Sequence, residues 1–111
     1  MLDVTGRAGD RVTARLPEDV DLYTTPGLRA VVDRIIDEGC RYLNLDASAL
    51  QHLDSTGVTA LIVWHRRLDA VGGALSLTGL AGHFHAMLTR LGLHNAFTFE
   101  PETPSADNPS P

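Results

Sequence analysis

The chain has 111 residues, a formal net charge of −5, 43% apolar residues and one cysteine. That length fits one domain with a small apolar core. The acidic balance argues against a nucleic-acid binder, which carries a basic face, and Cys40 alone can form no internal disulfide.

The elements follow in chain order. Leu2–Thr5 and Arg11–Leu16 read as short strands joined by a polar turn from Gly6 to Asp10. Thr24-Thr25-Pro26 opens a helix, with a hydroxyl cap and a proline whose missing N–H is harmless in the first turn. Leu28, Val31, Val32, Ile35 and Ile36 form its core-facing stripe, and Gly39 stops it. Cys40, at the end of that helix, is expected to be a small buried or half-buried thiol rather than a reactive one.

Tyr42–Asp46 alternates as a half-buried strand does, and an apolar pattern with helical spacing runs from Val58 to about Ala70. Between them Asp54 and Ser55 fall at or just before a helix N-terminus, so either is expected to cap it. On that helix Val58, Leu61, Ile62, His65 and Leu68 make one stripe, and Ala60, Val63, Trp64 and Val71 a second. Trp64 is read as core or half-core, with an interface contact as the alternative. Gly72-Gly73 leads into strand Ala74–Thr78. Gly82–Leu91 is expected as a third helix with Phe84, Leu88 and Leu91 inward, and Ala96–Phe99 as the last strand. Residues 101–111 hold four of the six prolines and read as a disordered tail behind a 1–100 domain.

Alternating strands and helices imply an α/β fold with parallel pairs, while the short link between the first two strands allows an antiparallel one. The longest apolar stretch, Ala60–Trp64, is too short to span a bilayer, and the first ten residues hold no signal pattern. The expected location is the cytoplasm, with no membrane insertion.

Several constellations suggest chemistry. Ser55 lies near Asp54 and His52, but a Gly-x-Ser-x-Gly elbow is absent and adjacency does not create a triad, so no catalytic residue is assigned and no enzyme is expected. His83 and His85 lie two apart, which on a helix points them to different faces; no metal or other cofactor is expected. Glu18, Asp19 and Asp21 form an acidic cluster that is either a partner face or a solvated loop.

The run from Leu43 to Gly57, with Leu53-Asp54-Ser55-Thr56-Gly57 at its end, resembles the signature of the STAS domain. It is most similar to bacterial anti-sigma factor antagonists. The likeness continues through Val71–Leu77 and Leu88–Phe97, and spans roughly residues 10 to 100. It implies a mixed, mainly parallel sheet of about five strands, with helices packed mainly on one side. It also implies that Ser55 is the acceptor of a phosphoryl group from a partner kinase, and that Asp21 sits at the aspartate of a turn contacting that kinase. Thr24, Asp54, Ser55, Thr56 and Gly57 complete the expected partner-binding set. The implied partners are an anti-sigma factor with serine-kinase activity and a phosphatase acting on phospho-Ser55; the expected state is a monomer or weak dimer. Two departures stand out: Glu18 replaces the usual glycine of the Asp21 turn, and Thr59 replaces a glycine after the motif. Two rivals remain open, a constitutively binding STAS scaffold, transport-associated or stressosome-like, and a small hydrolase or ligand-binding domain.

Overall fold

A computed structural model describes residues 2–93 and 97–100. Its elements in order are β1 (Asp3–Ala8), β2 (Arg11–Arg15), β3 (Asp19–Val20), α1 (Thr25–Asp37), β4 (Tyr42–Asp46), β5 (His52–Leu53), α2 (Ser55–Ala70), β6 (Ala74–Thr78), α3 (Gly82–Arg90) and β7 (Thr98–Glu100). Five strands form one sheet in the order β1-β2-β4-β6-β7, antiparallel only between β1 and β2. The short β3 and β5 pair in parallel in a separate two-stranded sheet. The mixed, mainly parallel architecture with three helices is the one expected.

The alternation of residues sets the layers. Val12, Ala14, Leu43, Leu45, Leu75 and Leu77 are buried on one face of the sheet. Their neighbours Thr13, Asn44, Ser76 and Thr78 are half-buried on the other, where Ser76 Oγ donates to Asn44 Oδ1 at 3.2 Å. Leu28, Val32, Ile35 and Ile36 of α1 and Leu61, Trp64 and Leu68 of α2 join the buried cluster on the apolar face. The α1 stripe is as expected except that Val31 is only partly buried. Trp64 is fully buried, so it belongs to the core and not to an interface. Arg67 of α2 ties the two helices together, donating to Asp33 at 3.0 Å and to Asp37 at 2.8 Å. Cys40 is buried, and that burial pushes its thiol above the ordinary value despite a contact with the Tyr42 carbonyl.

Several expectations are corrected. The Gly6–Asp10 segment is not all turn: β1 continues to Ala8, and only Gly9 (φ 62°) and Asp10 reverse the chain. Gly6 instead lies at a shift in register between Val4 and Gly6, where a bulge accommodates it. Leu91 is not inward, since α3 ends at Arg90 and Leu91 is 57% exposed. The last strand is displaced to Thr98–Glu100, while Ala96 and the 101–111 tail lie outside the described residues. Val71 is exposed beyond the end of α2, which shortens the second apolar face of that helix.

Candidate functional site

Asp54 is the N-cap of α2. Its backbone is extended, and its Oδ1 accepts from the Gly57 N–H at 3.0 Å. This satisfies one of the orphan donors of the first turn. Its second oxygen, Oδ2, accepts from the Leu22 N–H at 3.1 Å. One carboxylate therefore joins the turn before α2 to the loop before α1. The Asp54 N–H, in turn, donates to the Val20 carbonyl at 3.3 Å, extending the β3–β5 pairing by one bond.

The facing loop has its own carboxylate. Asp21 Oδ1 accepts from the N–H groups of Tyr23 and Thr24 at 2.9 and 3.0 Å. Thr24 does not cap α1 through its side chain as expected. Its Oγ1 accepts from the Asp21 N–H at 3.0 Å and donates to the Asp19 carbonyl at 2.9 Å, which folds the loop on itself. Asp19 meets His52 Nδ1 at 2.7 Å across the small sheet. The acidic cluster is thus largely committed to local structure, with Asp19 and Asp21 both engaged. What the loop presents outward is apolar: Leu22 is 60% and Tyr23 88% exposed.

Gly57 is required sterically. A Cβ at this position would stand 2.4 Å from the Val20 carbonyl oxygen and 2.7 Å from Leu53 Cδ1. Only glycine lets the first turn of α2 approach β3 and β5 so closely.

Ser55 is the first residue of α2 and is exposed, and no hydrogen bond among the described residues restrains its hydroxyl. Thr59 lies one turn on, and its Oγ1 donates to the Ser55 carbonyl at 2.9 Å. Thr59 is itself exposed. Ser55 and Thr59 border an apolar groove of about 480 Å³ between α2 and the end of α3, lined by Leu53, Val58, Ile62, Met87, Leu91 and Leu93. The expected residues Asp21, Thr24, Asp54, Ser55, Thr56 and Gly57 thus meet around one pair of loops. The sequence reading missed three contributors: the β3–β5 pair, the projecting Leu22 and Tyr23, and the groove wall from α3. Strands of two residues leave no alternation to read. The apolar pair Leu22-Tyr23 was visible, but nothing in it distinguishes a projecting loop from a buried one.

Among the described residues, no three His, Cys, Asp or Glu side chains gather as a metal site, and no helix is long and apolar enough to cross a membrane.

A mainly parallel five-stranded sheet, helices on one face, and a capped turn presenting a free hydroxyl beside an apolar groove define a small α/β domain with one elaborated end. The chain belongs to the STAS domain family: residues 4–99 match the family model described as Mlab, STAS domain. Among solved structures it is similar to the anti-sigma factor antagonist SpoIIAA. The unphosphorylated form gives a TM-score of 0.77 at 21% identity, covering 89% of this chain and 87% of that one. The phosphorylated form, from Bacillus, gives 0.73 at 21%, covering 89% and 90%. An anti-sigma factor antagonist from Mycobacterium paratuberculosis gives 0.78 at 19%, covering 90% and 84%. A sulfate transporter family protein from Wolinella succinogenes gives 0.66 at 17%, covering 86% and 80%. At these identities the likeness is one of fold. No curated protein sequence matches the chain.

Proposed function

We propose that the chain is an anti-sigma factor antagonist, a binding module rather than an enzyme. In its unmodified form, the surface around Asp21, Thr24, Asp54, Ser55, Thr56 and Gly57 docks an anti-sigma factor and so frees the sigma factor. The anti-sigma factor acts as a kinase in the cytoplasm and transfers a phosphoryl group to Ser55 Oγ; a phosphatase resets the switch. The observation that carries this reading is the placement of Ser55. It is an exposed, unrestrained hydroxyl at the first position of a long helix, bordering an apolar groove, and the Asp54 before it is bonded to the loop that projects Leu22 and Tyr23.

Charge and desolvation explain how the switch would work. Phosphorylation adds about −1.5 to −2 charges at neutral pH. A dianion at the border of an apolar contact loses solvation and repels acidic groups on closing, so affinity falls. The fold survives, because negative charge is favoured at a helix N-terminus. The solved pair of SpoIIAA forms supports the same division, since both phosphorylated and unphosphorylated chains align with this one.

The test uses Ser55→Ala and Ser55→Glu as paired baits in lysate of the native host. The antagonist reading expects an ATP-binding, kinase-like protein on the alanine bait, with at least about tenfold less on the glutamate bait. The likeness to the Wolinella sulfate transporter family protein supports a second reading, a constitutive scaffold for transport. Transport components retained equally by both baits would replace the first reading with the second.

A further inference from the structure

The apolar groove between α2 and the end of α3 has an arginine beside each of its walls. Ser55, Thr59 and Ile62 line it from α2, each three or four residues after the last, and Arg66 extends the same helical row by one turn. On the opposite wall Met87 lines it, and Arg90 falls beside Met87 one turn further along α3. Both arginines are exposed, and neither has a carboxylate within ion-pair distance among the described residues.

In a chain of net charge −5, two unpaired arginines beside the same apolar groove are a local reversal of sign. The one carboxylate that lines the groove, Asp54, stands at its Ser55 end and is held by the amides of Gly57 and Leu22. Asp69 lies a turn past Arg66 on α2, outside the lining. The middle of the groove is apolar, with Val58, Ile62, Met87 and Leu91 facing one another and Leu91 57% exposed. An occupant that suits it is apolar along its centre and acidic along its edges.

The walls favour a helix over an extended segment. An extended chain needs main-chain partners, whereas these walls are chiefly helices whose backbone groups pair internally. The nearest hydroxyl on α2, Thr59 Oγ1, is already bonded to the Ser55 carbonyl at 2.9 Å. A helix satisfies its own backbone and asks only for side-chain contact. From Ser55 to Ile62 the groove follows α2 for about 10 Å, which is the separation of i and i+7 anchors on a second helix.

We propose that the α2–α3 groove receives an acidic amphipathic helix of a partner protein, its apolar face on Ile62, Met87 and Leu91 and its carboxylates toward Arg66 and Arg90. Ser55 stands at one end of the groove, so a phosphoryl group there repels such a helix directly. The partner's role rests on the antagonist reading; the docking itself does not, and its test needs no kinase.

The experiment is a two-dimensional amide NMR titration of the full chain with two end-capped peptides of about 16 residues, long enough to form a helix alone. Both carry leucine at i, i+3, i+4 and i+7 in an alanine background, one with glutamate on its flanks and the other with lysine. Saturable shifts are expected at Val58, Thr59, Ile62, Met87 and Leu91, with the glutamate peptide bound at least about fivefold tighter. Arg66→Gln combined with Arg90→Gln, both at exposed positions, should remove that preference. Leu91→Asp, also at an exposed position, should weaken both peptides at least about tenfold. Equal or tighter binding of the lysine peptide would overturn the proposal, as would shifts without saturation or shifts centred on Leu22 and Tyr23. Self-association of the chain through the groove would overturn it too, by making a second copy the occupant. If the peptides fail while the Ser55 baits still separate, the groove proposal falls and the antagonist reading stands. If the glutamate peptide binds as expected while the baits behave alike, the reverse holds.

Discussion

From Val58 onward α2 is held by burial, whereas the four residues before it are held by hydrogen bonds. Leu61, Trp64 and Leu68 lose almost all their solvent exposure against the sheet and α1. Such burial is strong, additive over many contacts and indifferent to direction. The Asp54–Gly57 turn buries little; it depends on two oxygens of one carboxylate and on the absence of a Cβ at Gly57. The difference explains how a surface can be rewritten at Ser55 while the domain stays folded. Stability is stored in one region, and the displayed shape in another that contributes little to it.

The largest expected effect falls on the buried region. Trp64→Ala removes a fully buried indole and should lower the unfolding free energy by about 3–5 kcal/mol, read from denaturant titration. A loss below about 1 kcal/mol would mean that the core is not where the stability resides. Asp54→Asn attacks the other region. The amide keeps one acceptor oxygen but turns an NH₂ group toward either the Gly57 or the Leu22 N–H, so one of the two bonds becomes a clash of donors. The expected cost is about 1–2 kcal/mol. The sharper readout is hydrogen exchange: amides of Leu22 and Tyr23 should exchange faster by more than the global loss predicts, with β4 and β6 following only the global change. Uniform acceleration across all elements would erase the distinction between the two regions.

The same distinction governs what could be read from the chain. β4 and β6 lie residue for residue where their alternation placed them, because each presents one face to a core and the period of two is unambiguous. The α1 stripe was legible for the same reason. The hydrogen-bonded end was legible only as residue types. Asp54 could be read as a possible cap, but its second bond to Leu22, 32 positions away, has no local signature. Leu91 failed for a related reason: its spacing from Phe84 and Leu88 is helical, yet α3 stops one residue earlier and Gly92, at φ 79°, turns the chain, leaving the side chain out. Ser55 borders the groove against α3 while Thr56 borders an open cleft against α1, a divergence that depends on which helices flank α2 and that no periodicity records.

The smallest expected effect concerns a carboxylate outside the Asp54–Gly57 turn. Asp46 lies at the end of β4, where partial burial alone would raise its pKa. The Ser48 hydroxyl and amide, the latter donating to Oδ1 at 2.9 Å, outweigh that together with Arg15, whose Nε is 3.5 Å from Oδ2, and hold the group below its ordinary value of 3.8. A lowered folded-state pKa means that the unfolded chain binds the proton more readily. The group therefore contributes stability above the unfolded value, and that contribution is lost as pH falls through the folded one. Because Asp46 and Arg15 are partly exposed, the contribution should stay below about 1 kcal/mol. Asp46→Asn should consequently be slightly less stable than the parent at pH 7, with the gap closing below about pH 4. Denaturant titrations of both proteins at the two pH values decide it. A gap that persists in acid would mean that the aspartate matters for its shape and its amide contact, and not for its charge.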